Sequence, residues 1–499
     1  MKTGFDSDKY LSLQTESIIE RIGKFNNKLY LEFGGKLFYD FHAARVLPGY
    51  DPTAKVRLLR KLRDRTEIIV CIYAGAIERN KIRADFGVTY DIDLMRLIDD
   101  LRDLDLSINS VVITRYENQP AASIFIEKLK RRGIRTYTHK YTKGYPTDID
   151  TIVSEQGYGA NEYITTTKPL VVVTAPGPGS GKLATCLSQI YHDHLRGIKA
   201  GYAKFETFPI WNLPLKHPVN IAYEAATADL NDVNLIDPFH LEEYGIRTIN
   251  YNRDIDVFPV LKRIFEKITG EPSIYKSPTD MGVNMVGYGI TDDEICRSAA
   301  KEEIIRRYFK SLCEYKLGSC DLETAQRTET IMSELDLRPE DRKVVVHARN
   351  AGYRPSDDNG KCVVGTAIQL PSSAIICAKG SALMNSPAAL IMNSIKKLAD
   401  IPDHQHLISP QILEPILQMK SKQFNSRNRT LDIKEVLIAL SICAASDDLA
   451  KKAFDKLSFL KGCEAHASAI LAPSDEDMLR NLGINITCDA EFSSKDLVF

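Results

Sequence analysis

The feature that most constrains the fold is a buried-strand pattern followed at once by a glycine-rich turn and a helical pattern. Residues 170–173 read LVVV, an apolar and mostly β-branched run that is typical of a strand buried in a parallel sheet. Residues 176–181 read PGPGSG and form the turn. Apolar Leu183, Leu187 and Ile190 then recur at helical spacing. This segment predicts a strand, a tight turn and a helix of an α/β fold.

The turn has the composition of an anion site. The first N–H groups of a helix lack intrahelical partners, the helix dipole is positive there, and glycine lets an anion approach the backbone. We therefore predict that this turn binds the phosphate of a small ligand, through Gly177, Gly179, Ser180, Gly181 and Lys182.

The turn matches the phosphate-loop pattern G-x-x-x-x-G-K-[ST] only in part. The final Gly-Lys pair is present, but Pro176 replaces the first glycine and Leu183 replaces the hydroxyl residue that normally holds Mg²⁺. Glu224 and Asp237 are the only candidates for the acid of a second nucleotide-binding strand, and neither follows a strong apolar run. The pattern favours binding of phosphate or another anion, with a purely structural turn and an ordinary Mg-dependent NTPase as alternatives.

Strand and helix patterns alternate ahead of the turn, which is typical of βαβ units around a parallel sheet. The pattern therefore predicts a Rossmann-like α/β domain. It also predicts a hairpin over residues 28–40, around Gly34 and Gly35. The other predicted elements are helices at 52–64, 91–105 and 119–132 and strands at 67–74, 110–114 and 134–139.

Four cationic side chains lie in predicted loops that follow strands. Parallel sheets bind ligands at the carboxyl ends of their strands, so these loops are expected to meet at one edge. Arg45, Arg79, Lys81 and Arg115 would then complete a cationic pocket around the glycine turn. For any one of them alone, a solvated surface cation is the alternative.

The rest of the chain predicts a helical stretch and a second α/β region. Residues 220–223 and 343–347 have strand patterns, whereas 277–290 and 348–360 are predicted loops. The predicted organisation is a Rossmann-like α/β domain with the glycine-rich loop, a helical subdomain and a smaller C-terminal α/β subdomain, over residues 1–276, 277–341 and 342–499.

Three further residue pairs are candidates for a metal site or a catalytic site. The chain lacks the H-E-x-x-H pattern of zinc peptidases. Ordinary core or surface side chains are the alternative for each pair. The pairs are His404 with His406 on a metal, Cys463 with His466 on a metal or as nucleophile and base, and His347 with Arg349 at a strand end.

Composition excludes some classes of partner and compartment. The 499 residues carry a formal net charge of −1, so no overall field attracts nucleic acid or an anionic membrane. No apolar stretch is long enough to span a membrane, and the N-terminus has no signal-peptide pattern. Ten cysteines occur without a C-x-x-C pair, which predicts reduced, mostly buried thiols. We expect a cytoplasmic protein with a small-molecule ligand, and we consider assembly as a homo-oligomer.

Several segments together resemble one bacterial family of about 500-residue proteins, catalogued as a domain of unknown function. They are the glycine turn, SPTDMGVN at 277–284, HARNAGYRPSDD at 347–358 and LKGCEAHASAIL at 460–471. The resemblance runs nearly end to end and implies the same α/β, helical and α/β organisation. Some members are labelled ATP-dependent peptidases. The resemblance implies no catalytic residues.

The sequence thus predicts an enzyme that acts on a phosphorylated small molecule or nucleotide. A non-catalytic sensor of such a ligand is one alternative. A metal-dependent hydrolase or peptidase built on His404, His406 and Cys463 is another.

Overall fold

The computed structural model describes residues 3–26, 28–35, 37–83, 88–352, 362–423 and 430–494. Its internal contacts divide the chain into two units. Within the described residues, the N-terminal unit covers 3–227 and 231–300, and the C-terminal unit covers 228–230 and 301–494.

The described residues contain fifteen strands. In chain order they are β1 (Leu29–Phe33), β2 (Thr66–Tyr73), β3 (Ile82–Arg83), β4 (Val88–Thr89), β5 (Ile108–Thr114), β6 (Thr136–His139), β7 (Leu170–Thr174), β8 (Gly201–Phe205), β9 (Asn234–Ile236), β10 (Ile249–Tyr251), β11 (Gly282–Val283), β12 (Gly365–Gln369), β13 (Ile375–Lys379), β14 (Glu464–Ala467) and β15 (Asn485–Cys488).

Twenty α-helices occur in the same residues. In chain order they are α1 (Ser7–Lys24), α2 (Phe41–Val46), α3 (Ala54–Lys61), α4 (Ala74–Glu78), α5 (Tyr90–Asp103), α6 (Pro120–Arg131), α7 (Ile149–Ile152), α8 (Lys182–Leu195), α9 (Pro218–Ala226), α10 (Pro238–Tyr244), α11 (Asn252–Thr269), α12 (Pro278–Met281), α13 (Asp293–Lys316), α14 (Leu322–Glu334), α15 (Val344–Ala351), α16 (Ser386–Leu398), α17 (Pro410–Lys422), α18 (Ile433–Ala444), α19 (Asp448–Phe454) and α20 (Pro473–Asn481). None of these helices combines the length and apolar character that crossing a membrane requires.

A seven-stranded parallel sheet forms the centre of the N-terminal unit, which confirms the predicted parallel α/β arrangement. Its strand order is β11-β8-β1-β7-β2-β5-β6, and every neighbouring pair is parallel. Strand β7 lies between β1 and β2, and all five of its residues are buried. Burial on both faces explains why residues 170–173 are continuously apolar rather than alternating.

Helices α8 and α11 cover one face of the sheet around β7. Val171 and Val173 of β7 belong to the same buried cluster as Leu187 and Ile190 of α8. Phe258, Leu261 and Ile264 of α11 complete this part of the cluster. Burial of each such apolar side chain contributes about 1.5–3 kcal/mol, so the packing fixes the position at which α8 begins.

The hairpin predicted over residues 28–40 is wrong. Strand β1 pairs in parallel with β7 and β8, and the chain then enters α2. The amide of Gly34 donates to the carbonyl of Phe205, 3.1 Å away, so the glycine ends β1 beside a neighbouring strand instead of turning back.

Two further strand predictions are wrong because the segments are helical. Residues 220–223 lie in α9, which begins with Pro218 capped by His217 and is buried almost all round. Residues 343–347 fall mostly in α15, where Val344, Val345 and Ala348 are buried and Val346 is exposed. That burial follows a helical period, which three consecutive valines conceal in the sequence.

The loop predicted over 277–290 is wrong in part, because it contains α12 and the edge strand β11. The polar loop predicted over 348–360 is also wrong in part. Its residues 348–351 belong to α15, and residues 353–361 lie outside the described part of the chain.

The C-terminal unit has a smaller, mixed sheet with the order β13-β12-β14-β15. Strand β12 is antiparallel to both neighbours, and β14 and β15 are parallel. Helices α16 and α18 supply much of its core, including Leu390, Ile391, Val436 and Leu440. The predicted helical stretch is present ahead of this sheet as α13 and α14.

Candidate functional site

The glycine turn lies at a reversal of strand order in the large sheet. From β7 the chain continues through α8 to β8, on the far side of β1. From adjacent β2 it continues through α4 and α5 to β5, in the opposite direction. In open parallel sheets such a reversal leaves a crevice at the carboxyl ends of the two strands, where ligands bind. The turn after β7 therefore lies at the position that this topology favours for a ligand.

The backbone of the turn depends on two glycines with positive φ. Gly179 has a φ of 67° and Gly181, the N-cap residue of α8, has a φ of 87°. A Cβ on Gly181 would lie 2.9 Å from the side chain of Thr114, whereas one on Gly179 would meet no atom within 4 Å. Gly181 is thus required for packing, and Gly179 faces open space.

A run of backbone N–H groups at the turn has no hydrogen-bond partner. Within the described residues, no acceptor pairs with the amides of residues 179–184, and the first paired amide of the helix is that of Thr185, which donates to the Gly181 carbonyl at 3.0 Å. The carbonyls of the turn are engaged, because Thr114 Oγ1 donates to that of Ser180 at 2.7 Å and Ser180 Oγ donates to that of Gly177 at 3.0 Å. The free hydrogen-bonding capacity of the turn is therefore donor capacity, which suits an anion.

Two of the predicted cations flank the turn around Tyr73. Arg115 directly follows β5, its guanidinium lies 3.7 Å from the centre of the Tyr73 ring, and it donates to the carbonyl of Gly179. Arg79 lies over the same ring at 5.8 Å and donates to the Gly75 carbonyl at 3.0 Å. Arg115 also has a φ of 49°, which is unusual for a residue with a side chain. The structure brings both arginines to the side of the turn that faces β2 and β5.

The aromatic ring of Tyr90 lies between Lys81 and the turn. Its Nζ lies 5.5 Å from the centre of the Tyr90 ring. The same ring occupies the space next to Gly177, where an added Cβ would lie 2.2 Å from the ring edge. Tyr90 therefore closes one side of the turn, and Lys81 lies beyond it.

The fourth predicted cation, Arg45, lies on the other side of β7. It belongs to helix α2, which follows β1, and it is half-buried. Its helix neighbour His42 contacts the rings of Phe208 and Tyr223, which come after β8. The structure thus groups Arg79, Lys81 and Arg115 on one side of the turn and places Arg45 on the other.

Lys182 has an acidic neighbour that the sequence pattern did not reveal. Its Nζ lies 4.0 Å from Glu32 Oε1, and both side chains are only 12% exposed. Glu32 lies on β1 directly beside Val173 of β7. Its other oxygen accepts a hydrogen bond from Tyr202, at 2.8 Å. A charged residue inside the otherwise apolar strand LYLEF was the only available signal.

The residues that could replace the missing Mg²⁺ ligand are already engaged. Leu183 packs against the apolar cluster of the N-terminal unit. Thr185 Oγ1 donates to the Gly181 carbonyl at 3.0 Å. The two acid candidates of the sequence are also used structurally: Asp237 caps α10, and Glu224 accepts from the amide of Asn234. The surroundings of the turn therefore differ from those of a Mg-dependent NTPase.

The metal-site candidates gain no support from their positions. His404 and His406 lie in a turn and are exposed. Cys463 is buried and donates to the Phe459 carbonyl at 3.6 Å, and His466 contacts Thr487 Oγ1 at 2.8 Å. Burial raises the pKa of the Cys463 thiol to about 11, which disfavours a nucleophilic thiolate. In the described part of the chain, no group of three or more His, Cys, Asp and Glu residues could hold a metal ion.

The pair His347 and Arg349 does not lie at a strand end, because both belong to α15. Arg349 pairs with Asp489 at 2.7 Å and also with Glu340. All ten cysteines are free, and six of them are buried, in agreement with the predicted reduced thiols.

A shallow cavity of about 410 Å³ lies away from the turn, beside α7 and α11. It is lined by both acids and bases, and Lys267 pairs with Asp150 there at 2.7 Å. Its charges compensate each other, so it is a weaker candidate for a charged ligand than the turn.

Comparison with known proteins matches nearly the whole chain to one protein family. Residues 3–336 match the model described as Domain of unknown function DUF1846, N-terminal, and residues 340–498 match its C-terminal counterpart. A UPF0371 protein of Clostridium botulinum (strain Kyoto / Type A2) is 60% identical over 502 residues, covering 100% of both chains. A UPF0371 protein of Clostridioides difficile (strain 630) is 59% identical with the same coverage. The chain therefore belongs to the UPF0371 family, and it consists of the N-terminal and C-terminal domains of unknown function DUF1846.

Proposed function

We propose that the N-terminal unit binds a phosphorylated small molecule at the turn between β7 and α8, and that the protein is an enzyme acting on that ligand. The observation that carries this proposal is the run of unpaired amides over residues 179–184 next to the ammonium group of Lys182. A phosphate group would accept hydrogen bonds from several of these amides and would lie at the positive end of α8.

The arrangement of charge supports the same ligand. Lys182 has a carboxylate 4.0 Å away, which is longer than a hydrogen bond, so its ammonium group can turn toward a phosphate. Arg115 already contacts the carbonyl of Gly179 and can contribute a second positive charge at the open side of the turn. A phosphate there would be held by charge-assisted hydrogen bonds, which are stronger than neutral ones.

A second candidate function is a non-catalytic sensor of the same class of ligand. It is favoured by the packing of Leu183 in the position where a phosphate loop has its Mg²⁺-binding hydroxyl. Incubation of the pure protein with a pool of phosphorylated metabolites separates the two functions. Consumption of a compound identifies the enzyme, whereas protection against unfolding without consumption identifies the sensor.

Isothermal titration calorimetry with inorganic phosphate tests this site by measuring the affinity with and without Mg²⁺. We expect the parent protein to bind phosphate without Mg²⁺. Lys182→Gln should weaken binding by about tenfold or more, because a charge-assisted hydrogen bond contributes about 1.5–3 kcal/mol.

Lys199→Gln is the matched control, because Lys199 is exposed beyond the C-terminal end of α8. Its phosphate affinity should equal that of the parent. Equal affinities of Lys182→Gln and Lys199→Gln, or no phosphate binding by the parent, would contradict the proposed site.

A further inference from the structure

A second group of charged side chains lies at the same edge of the sheet, two strands from the turn. Lys204 on β8 contacts Glu206 at 2.7 Å and Asp254 of α11 at 2.6 Å. Lys204 is also the register neighbour of Glu32 on β1. Since Glu32 lies 4.0 Å from Lys182, the charges form a continuous series from the turn to α11. We call Glu32, Lys204, Glu206 and Asp254 the acidic subsite.

The acidic subsite contains more acid than its lysine can neutralise. Burial raises the pKa of Glu206 to about 7, against the opposing effect of Lys204, and only 6% of this residue is exposed. The pKa of Lys204 is also raised. Burial acts to lower this pKa, but the charges of Asp254 and Glu206 outweigh that effect. Near neutral pH, Glu206 can therefore either donate or accept a proton.

An unpartnered hydroxyl points to a missing ligand at the acidic subsite. Tyr251, at the end of β10, is 4% exposed, and within the described residues its hydroxyl has no hydrogen-bond partner. Tyr251 directly precedes α11, three residues before Asp254, which pairs with Lys204. Burial raises the pKa of Tyr251, and Tyr223 and the acids Glu206, Asp232 and Asp254 raise it further. A buried hydroxyl without a partner is unfavourable, which suggests that a ligand supplies the missing hydrogen bond.

The spacing of the two parts of the site sets the size of the ligand. The turn follows β7, Glu32 is on β1 and Lys204 is on β8, and these are three successive strands of the sheet. Because neighbouring strands lie about 4.8 Å apart, the acidic subsite extends from Glu32, 4.0 Å from Lys182, to Lys204 on a strand roughly 10 Å from β7. A sugar monophosphate fits this span, with its phosphate at the turn and its hydroxyl groups at the carboxylates.

The charges also exclude one ligand class. Carboxylates accept hydrogen bonds from hydroxyl groups but repel additional phosphates. A nucleoside triphosphate at the turn would place its other phosphates near Glu32, and the turn offers no Ser or Thr after Lys182 to hold a compensating Mg²⁺. A ligand with one phosphate and several hydroxyl groups matches both parts of the site.

We propose that the ligand is a phosphomonoester of a sugar or polyol, whose hydroxyl groups bind at the acidic subsite and at Tyr251. This inference rests on the proposed phosphate site. It adds the class of substrate and assigns Glu32, Glu206, Asp254 and Tyr251 to its recognition.

The test compares the affinities of the full-length protein for inorganic phosphate, glucose 6-phosphate, ribose 5-phosphate and Mg-ATP. At least one sugar phosphate should bind about tenfold or more tightly than inorganic phosphate, since each additional hydrogen bond contributes about 1 kcal/mol. Mg-ATP should bind more weakly than that sugar phosphate. Tighter binding of Mg-ATP than of either sugar phosphate would overturn the inference.

Tyr251→Phe is the most informative variant, because it removes a hydroxyl that has no partner in the described fold and should not destabilise the protein. It should weaken sugar-phosphate binding by about three- to tenfold and leave the affinity for inorganic phosphate unchanged. Glu206→Gln should show the same selective loss, and Glu271→Gln, at an exposed acid, should show none.

The outcomes separate the two proposals. If inorganic phosphate binds but Tyr251→Phe and Glu206→Gln leave sugar-phosphate affinity unchanged, the assignment of the acidic subsite is wrong and the phosphate site stands. If neither inorganic phosphate nor any sugar phosphate binds, the phosphate site is wrong and the inference fails with it.

Discussion

Each unit contains a carboxylate paired with basic side chains, and the pKa values of the two carboxylates shift in opposite directions. In the N-terminal unit, burial raises the pKa of Glu206 to about 7. In the C-terminal unit, burial acts to raise the pKa of Glu464, but Arg306 and Arg342 outweigh it and lower the pKa. One acid shares a single lysine with Asp254, and the other is held by two arginines.

The difference separates a structural ion network from a site that can receive a ligand. Arg342 is almost fully buried and donates to Glu302, Glu464, Thr487 and the carbonyls of Ala465 and Asn485. Its hydrogen-bonding capacity is used within the protein. By contrast, the amides of the glycine turn and the hydroxyl of Tyr251 have no partner among the described residues. The run of unpaired amides beside Lys182, rather than the number of charges, distinguishes the turn from the Arg342 network.

The largest expected effect tests the structural side of this comparison. Arg342→Met should lower the free energy of unfolding by about 3–5 kcal/mol, because it removes five hydrogen bonds of a buried guanidinium that contribute about 1 kcal/mol each. Lys182→Met should change it by less than about 1 kcal/mol, because Lys182 is too far from Glu32 for a hydrogen bond and Glu32 keeps the hydrogen bond from Tyr202. Urea unfolding of both variants measures the difference. Similar losses for the two would contradict the distinction between the regions.

The next effect is a pH dependence that comes from Glu206. Its pKa is higher in the folded protein than in the unfolded chain, so its stabilising contribution is complete below the unfolded value and is lost as pH rises through about 7. Glu206→Gln removes this dependence. Between about pH 5 and about pH 8, the stability of the variant relative to the parent should rise by on the order of 3 kcal/mol. A constant difference in urea unfolding across that range would mean that Glu206 is not perturbed.

The smallest effect distinguishes the two glycines of the turn. Gly179→Ala and Gly181→Ala share the backbone penalty of a positive φ, about 1–2 kcal/mol each. Only the second also forces a Cβ to within 2.9 Å of Thr114, which adds about 1–3 kcal/mol. In thermal unfolding, the midpoint temperature of Gly181→Ala should therefore be lower than that of Gly179→Ala. Equal stabilities would show that the turn is not packed against β5 in this way.

The sequence predicted the parallel sheet and the beginning of α8 because both depend on local patterns. The run LVVV requires burial on both faces, and the helical spacing of Leu183, Leu187 and Ile190 continues into α8. Helices α3, α5 and α6 and strands β2, β5 and β6 are predicted for the same reason, whereas the short elements α4, β3 and β4 are not. Failures occurred where a local pattern is ambiguous, as in α15, whose three valines are typical of a strand until Val346 is seen to be exposed.

The candidate site was predictable only where its residues adjoin the turn or follow a strand. Arg79, Lys81 and Arg115 were found because loops after parallel strands meet at one edge. Glu32 and Lys204 could not be paired with Lys182 without the strand order, since β1 is far from both β7 and β8 in the sequence and lies between them only in the sheet. Tyr251 could not be found at all, because the absence of a hydrogen-bond partner is a property of the folded structure.

The most direct test of the central claim is a titration of the ¹⁵N-labelled protein with inorganic phosphate, followed by amide NMR. The account predicts that the amide resonances of Gly179, Gly181 and Lys182 shift and saturate, and that Lys182→Gln weakens the binding by about tenfold or more. Unchanged resonances at the turn, or shifts confined to other parts of the chain, would contradict it.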